Sequence, residues 1–121
     1  MNKRKVGTWY EILACSFLKE HGVQLLYKNY RVRKGEIDII AKDDNYLCFI
    51  EVKYRKDNKY GGPEAAVSFS KQKQICDVSR FFLFSKHYSE FTPIRYDVIA
   101  ISGEEGSCQI KWHKNAFDYM L

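Results

Sequence analysis

Apolar residues recur near the N-terminus at helical spacing. Trp9, Ile12, Leu13, Ala14 (with Cys15), Phe17 and Leu18 form one broad face, which predicts a helix from about Thr8 to His21. Thr8 and Glu11 fit a capping box at its start, and Gly22 marks its stop. A strand is expected within Val23–Val32, followed by a turn at Lys34-Gly35 and an isoleucine-rich strand at Glu36–Lys42. Asp43-Asp44-Asn45 reads as the next turn. Tyr46–Tyr54 is then apolar on both faces through Leu47, Cys48, Phe49, Ile50 and Val52, which puts it in the middle of a sheet.

Lys56–Pro63 carries the breakers Asp57-Asn58 and Gly61-Gly62-Pro63 and reads as a loop, with a short helix around Glu64–Val67 after it. A longer helix is expected from about Ser70 to Phe84, with Ile75, Cys76, Ser79, Phe82 and Leu83 on one stripe. Arg95–Ile101 and Cys108–His113 are the last strands, separated by a turn at Gly103-Glu104-Glu105-Gly106. Helix, three strands, helix, two strands: the order predicts a mixed α/β sheet flanked by helices.

Composition narrows this further. The 121 residues are 45% hydrophobic and 16% aromatic, which fits one packed domain and excludes a disordered chain. No apolar run approaches the ~20 residues that span a bilayer. The basic start, Met1 to Gly7, leads into no apolar signal region, so a cytoplasmic protein is expected. Cys15, Cys48, Cys76 and Cys108 are widely spread in apolar stretches and read as buried reduced thiols. His21, His87 and His113 are isolated. The net charge of +5 suits a polyanionic partner. The basic residues cluster in Lys3-Arg4-Lys5, Arg31-Val32-Arg33-Lys34, Lys53-Tyr54-Arg55-Lys56 and Lys71-Gln72-Lys73, a set that invites one shared surface.

The candidate chemistry lies on the central hairpin. With Asp44-Asn45 as a two-residue loop, Asp43 pairs with Tyr46 and Asp38 falls opposite Glu51, Cβ atoms ~5 Å apart. Lys53 shares that face, as does Glu36. Two carboxylates so placed repel by about 3 kcal/mol at an effective dielectric near 20, so the pair calls for a counter-charge. Lys53 supplies one; a divalent metal supplies more, and Mg²⁺ favours one or two carboxylates plus water and phosphate. Such a metal would bind a phosphate oxygen and lower the pKa of a bound water, with Lys53 offsetting charge that develops on phosphorus. A bare Glu-x-Lys is common by chance; Gly35-x-x-Asp38 at hairpin distance raises its weight.

Gly35-Glu36-Ile37-Asp38-Ile39-Ile40-Ala41 with Phe49-Ile50-Glu51-Val52-Lys53-Tyr54-Arg55 resembles the PD-(D/E)XK signature of restriction-endonuclease-like nucleases. More narrowly, nearly the whole chain resembles the small bacterial YraN-like family, akin to archaeal-type Holliday junction resolvases. Asn29, Arg31, Gly62-Pro63-Glu64, Ala66-Val67, Lys71 and Arg95-Tyr96-Asp97-Val98 add matches, while Ile37 stands where the literal motif has proline. The resemblance implies an αβββαβ core and Mg²⁺-dependent cleavage of DNA, with Mn²⁺ as a substitute. It implies metal-binding roles for Asp38 and Glu51, a catalytic lysine at Lys53, and a further acid at Glu11 on the first helix. Glu11 keeps a second reading as the capping-box glutamate.

Arg31, Arg33, Arg55 and Lys71 are candidate phosphate contacts or plain solvated charges. Gln72 either points toward the site or ends the helix stripe. No role is read for Asp97. The expected activity is structure-selective cleavage of junctions or flaps in recombination or repair; a non-catalytic nucleic-acid-binding module and an RNA nuclease are the alternatives. A homodimer, with Phe81-Phe82-Leu83-Phe84 as the candidate segment, and a recombination or repair helicase are the expected partners.

Overall fold

The computed structural model describes residues 3–55, 67–104 and 106–120, with side chains of the first helix from Thr8 onward. The expected loop at Lys56–Pro63, all of the short helix except Val67, and the side chains of Lys3-Arg4-Lys5 lie outside the described residues. Seven elements follow in order: α1 (Lys3–Glu20), β1 (Gln24–Val32), β2 (Gly35–Asp43), β3 (Tyr46–Arg55), α2 (Phe69–Ser85), β4 (Ile94–Ser102) and β5 (Gln109–Phe117). The strands form one sheet in the order β1-β2-β3-β4-β5. All neighbours are antiparallel except β3 and β4, which run parallel and need the α2 crossover between them.

β3 is the central strand, as its two-sided apolar pattern requires. Cys48 and Ile50 join Tyr10, Ala14, Cys15 and Leu18 of α1 in one core cluster. Leu47 and Phe49 join Ile75, Cys76, Val78 and Phe82 of α2 in another. The alternation of consecutive β3 residues between the two clusters sandwiches the sheet between the helices. This α/β arrangement is compatible with the restriction-endonuclease-like fold.

Three sequence expectations need correction. α1 begins at Lys3, well before Thr8, because Lys3-Arg4-Lys5 are good helix formers that extend it. Thr8 and Glu11 are therefore interior helical positions, and the capping-box role of Glu11 falls away. β5 runs on to Phe117, four residues past His113, held by pairing to β4 rather than by its own polar sequence. Cys108 is only partly covered; the other three cysteines are buried.

Candidate active site at the mouth of the central hairpin

Asp44 takes a left-handed φ of 56° in the two-residue turn that joins β2 to β3. From there the ladder runs from Asp43↔Tyr46 to Ile39↔Ile50, the register expected from the sequence. One step beyond, the side chain of Asp38 enters the pairing. Its Oδ2 accepts the main-chain N–H of Val52 at 2.8 Å. The same point is irregular on the other side of β2, where Asn29 adopts a left-handed φ of 52° between the pairs Lys28↔Ile39 and Tyr30↔Ile37. An Asn accepts that conformation more readily than most residues. The kink and the opened hairpin meet at Asp38.

The acids gather there. Asp38 and Glu51 lie within hydrogen-bonding reach, and burial together with Glu51 pushes the Asp38 carboxyl up to about 8. An aspartate normally titrates near 4, so Asp38 holds its proton where a separated acid would release it. Glu11 reaches the site from α1, and its carboxyl is raised by burial and then by Asp38. With its amide nitrogen turned toward the acids, as their oxygens require, Asn29 donates to Glu11 and Glu36 at 3.1 Å each. Tyr10, the neighbour of Glu11, stacks on Tyr54 at 3.7 Å, which fixes α1 beside the Lys53 end of β3. Tyr54 is itself tied down by its hydroxyl, which donates to the Gly103 carbonyl at 3.1 Å.

Cationic groups face these acids. Lys53 is half-buried, and burial followed by the Arg55 charge lowers its pKa. From α2, Lys71 Nζ lies 3.8 Å from Glu51 Oε2. Ser68 sets this helix start by accepting the Lys71 N–H at 3.2 Å. β1 and β3 run in the same direction, so Arg31, Arg33, Lys53 and Arg55 all lie at one end of the sheet, the end that carries Asp38 and Glu51. Arg31 is exposed and pairs with Glu36 at 3.0 Å; Arg33 and Arg55 are also exposed.

Gln72 turns back on its own helix start, where its Nε2 donates to the Val67 carbonyl at 2.9 Å. Gln74, which the sequence reading passed over, bonds Lys71 Nζ through its Oε1 at 3.1 Å. Gly35 explains how it fits: a Cβ there would stand 2.5 Å from the Gln74 side chain, and the glycine φ is +151°. The helical offset of Lys71 and Gln74 was a local signal for their pairing; their approach to the hairpin was not.

Asp97 belongs to another group. It is fully buried and accepts from Arg95 Nε at 2.9 Å, Trp112 Nε1 at 2.9 Å and the Asn115 N–H at 2.9 Å. Arg95 also pairs with Asp43 at 2.8 Å. These bonds join β4, β5 and the hairpin turn.

Asp38 and Glu51 offer hard oxygen donors of the kind that suits Mg²⁺ or Mn²⁺ completed by water and phosphate. Among the described residues, no three or more His, Cys, Asp or Glu side chains are gathered closely enough to cage an ion without such partners. Glu11 therefore stands as an electrostatic neighbour of the pair. No helix among the described residues is long and apolar enough to cross a membrane.

Residues 10–101 match the model of the uncharacterised protein family UPF0102. A UPF0102 protein of Lachnoclostridium phytofermentans is 43% identical over 118 residues, covering 98% of this chain and 97% of that protein. One from Caldicellulosiruptor bescii is 42% identical over 120 residues, with 97% and 100% covered. Another, from Cytophaga hutchinsonii, is 46% identical over 92 residues, with 76% and 80% covered. Family match and whole-length likeness agree with the YraN-like motifs around Asp38 and Glu51: the chain belongs to the UPF0102 family.

Proposed function

We propose that the protein is a metal-dependent endonuclease that hydrolyses phosphodiester bonds of DNA and selects branched structures such as junctions or flaps. The observation that carries this reading is the Asp38–Glu51 pair. Two carboxylates share one partly buried site at a break in the ladder, and burial together with Glu51 raises the pKa of Asp38, a charge conflict that a cation would relieve.

Mg²⁺ held by Asp38 and Glu51 would supply Lewis-acid charge for a phosphodiester oxygen. Burial and the Arg55 charge lower the pKa of Lys53, and its ammonium, on the same strand as Glu51, would offset charge that develops on the phosphate. Arg31, Arg33 and Arg55 supply a basic rim at the same end of the sheet, which suits the backbone of a nucleic acid. Asn29 restrains Glu11 and Glu36, so the acids keep their places while a polyanion approaches. Homodimerisation, which a two-strand cut would use, and action beside a recombination or repair helicase belong to the same reading.

The test is a cleavage panel of four-way junction, flap, duplex, single-stranded DNA and RNA, each with Mg²⁺ or Mn²⁺. Branched DNA is expected to be cut, EDTA to stop the reaction, and Asp38→Asn or Glu51→Gln to reduce it by about 100-fold or more. Cleavage that survives both substitutions removes this site from the chemistry. Binding without cutting across the whole panel replaces the enzyme with a binding module, and cleavage of RNA alone changes the substrate.

A further inference from the structure

The ammonium group of Lys71 is placed by three separate features. Ser68 caps α2 and sets Lys71 in its first turn. Gln74 Oε1 accepts from Lys71 Nζ at 3.1 Å. Gln74 in turn lies against Gly35, at the start of the strand that carries Asp38, where any larger residue would collide with it. The outcome is an ammonium 3.8 Å from Glu51 Oε2, opposite the carboxylate pair.

That contact differs from the buried pair of Arg95 with Asp97. Arg95 meets Asp97 through several bonds of 2.9–3.2 Å, and its side chain is 11% exposed. Lys71 stands at the outer edge of ion-pair range, and its side chain is 36% exposed against 13% for Glu51. A lysine ammonium is strongly hydrated and rides on a flexible stem, so it withdraws into water at small cost. A permanent structural bond gains nothing from that looseness; an exchangeable one does.

We propose that Lys71 is a positioning residue that acts as the built-in counter-cation of the Asp38–Glu51 pair in the metal-free protein, held there by Gln74, and that a divalent cation takes its place. This rests on reading the carboxylate pair as a cation site. Lys71 keeps the two acids together before the ion arrives, and its own charge opposes the ion until it moves away.

Two measurements on the full chain, both without nucleic acid, test this. Calorimetric titration with Mn²⁺ should show Lys71→Met binding about tenfold tighter than wild type, because a like charge has been removed, with Glu51→Gln losing the binding. Gln74→Leu, which loosens the tether, should tighten Mn²⁺ binding by a smaller factor. In EDTA, Lys71→Met should lower the melting temperature in the wild-type background but not in the Glu51→Gln background. Lys71→Gln serves in both measurements where the methionine variant does not fold.

Equal or weaker Mn²⁺ binding by the Lys71 variant overturns the exchange while leaving the cation site intact. Additive melting shifts overturn the pairing with Glu51. Absence of Mn²⁺ binding in wild type and in both Lys71 variants removes the cation-site reading itself, and the exchange with it.

Discussion

Asp97 on β4 accepts hydrogen bonds from the Arg95 guanidinium, the Trp112 indole and the Asn115 main chain, and is fully buried. Asp38, two strands away on β2, accepts one bond from the Val52 N–H and otherwise faces Glu51. The first carboxylate has its charge matched by Arg95 on its own strand and further donors on β5, and Arg95 is itself held by Asp43. The second has a like group beside it and a loosely held lysine opposite. A saturated carboxylate is committed to the fold. An under-matched one has bonding capacity left for an outside ion, and families of enzymes tend to place such groups where chemistry occurs.

The sharpest way to break this contrast is to remove Asp97. Asp97→Asn leaves the Arg95 guanidinium buried with one carboxylate fewer and should lower stability by about 3 kcal/mol, measured by urea unfolding. A loss under about 1 kcal/mol would show that the network is not the clamp described here. Supplying the missing charge at Asp38 should act in the other direction. Mn²⁺ at about 100 times its dissociation constant should raise wild-type stability by about 2.7 kcal/mol and leave Glu51→Gln unchanged.

A pH series tests Asp38 further. The folded-state pKa of Asp38, about 8, lies above the unfolded value near 4, so folding favours the protonated acid. The associated penalty is absent below about pH 4, grows as pH rises through that window, and is complete above about pH 8. Asp38→Asn keeps an acceptor for Val52 and removes the ionisation. In EDTA it should be more stable than wild type by about 2 kcal/mol at pH 9, with the gain vanishing toward pH 4. Thermal melts showing equal stability of the two proteins at every pH would contradict the arrangement.

The smallest effect is expected on the rim. Arg31→Ala exchanges one exposed ion pair and should change stability by no more than about 0.5 kcal/mol. Binding of duplex DNA, followed by anisotropy across a salt series, should lose about one unit of its logarithmic salt slope. An unchanged slope would take Arg31 out of the interface.

Most of the hairpin was legible in the chain. The side-chain alternation of Ile39–Ala41 and Leu47–Ile50 and the two-residue turn at Asp44-Asn45 fix a register, because a one-residue slip would turn each strand inside out. Asp38 thereby falls beside Glu51 from local rules alone. Capping rules misread α1, since Thr8 and Glu11 satisfy a start signal that also occurs inside a longer helix. The end of β5 was not legible either, because Lys114-Asn115-Ala116 has little strand preference and is held by Asp97 and by Phe117 stacked on Tyr96.

What the sequence determined by itself was therefore the order of elements, the central place of β3, and the meeting of Asp38, Glu51 and Lys53 on one hairpin. Only the tertiary structure decided what surrounds them. It set Lys71 and Gln74 over the site, stacked Tyr10 on Tyr54, opened the ladder so that the Asp38 carboxylate bonds Val52, and gave Asp97 its donors. The reason is range. Strand register follows from periodicity and turn geometry within a few residues, whereas the charge balance of a buried acid depends on groups that the chain brings in from other elements.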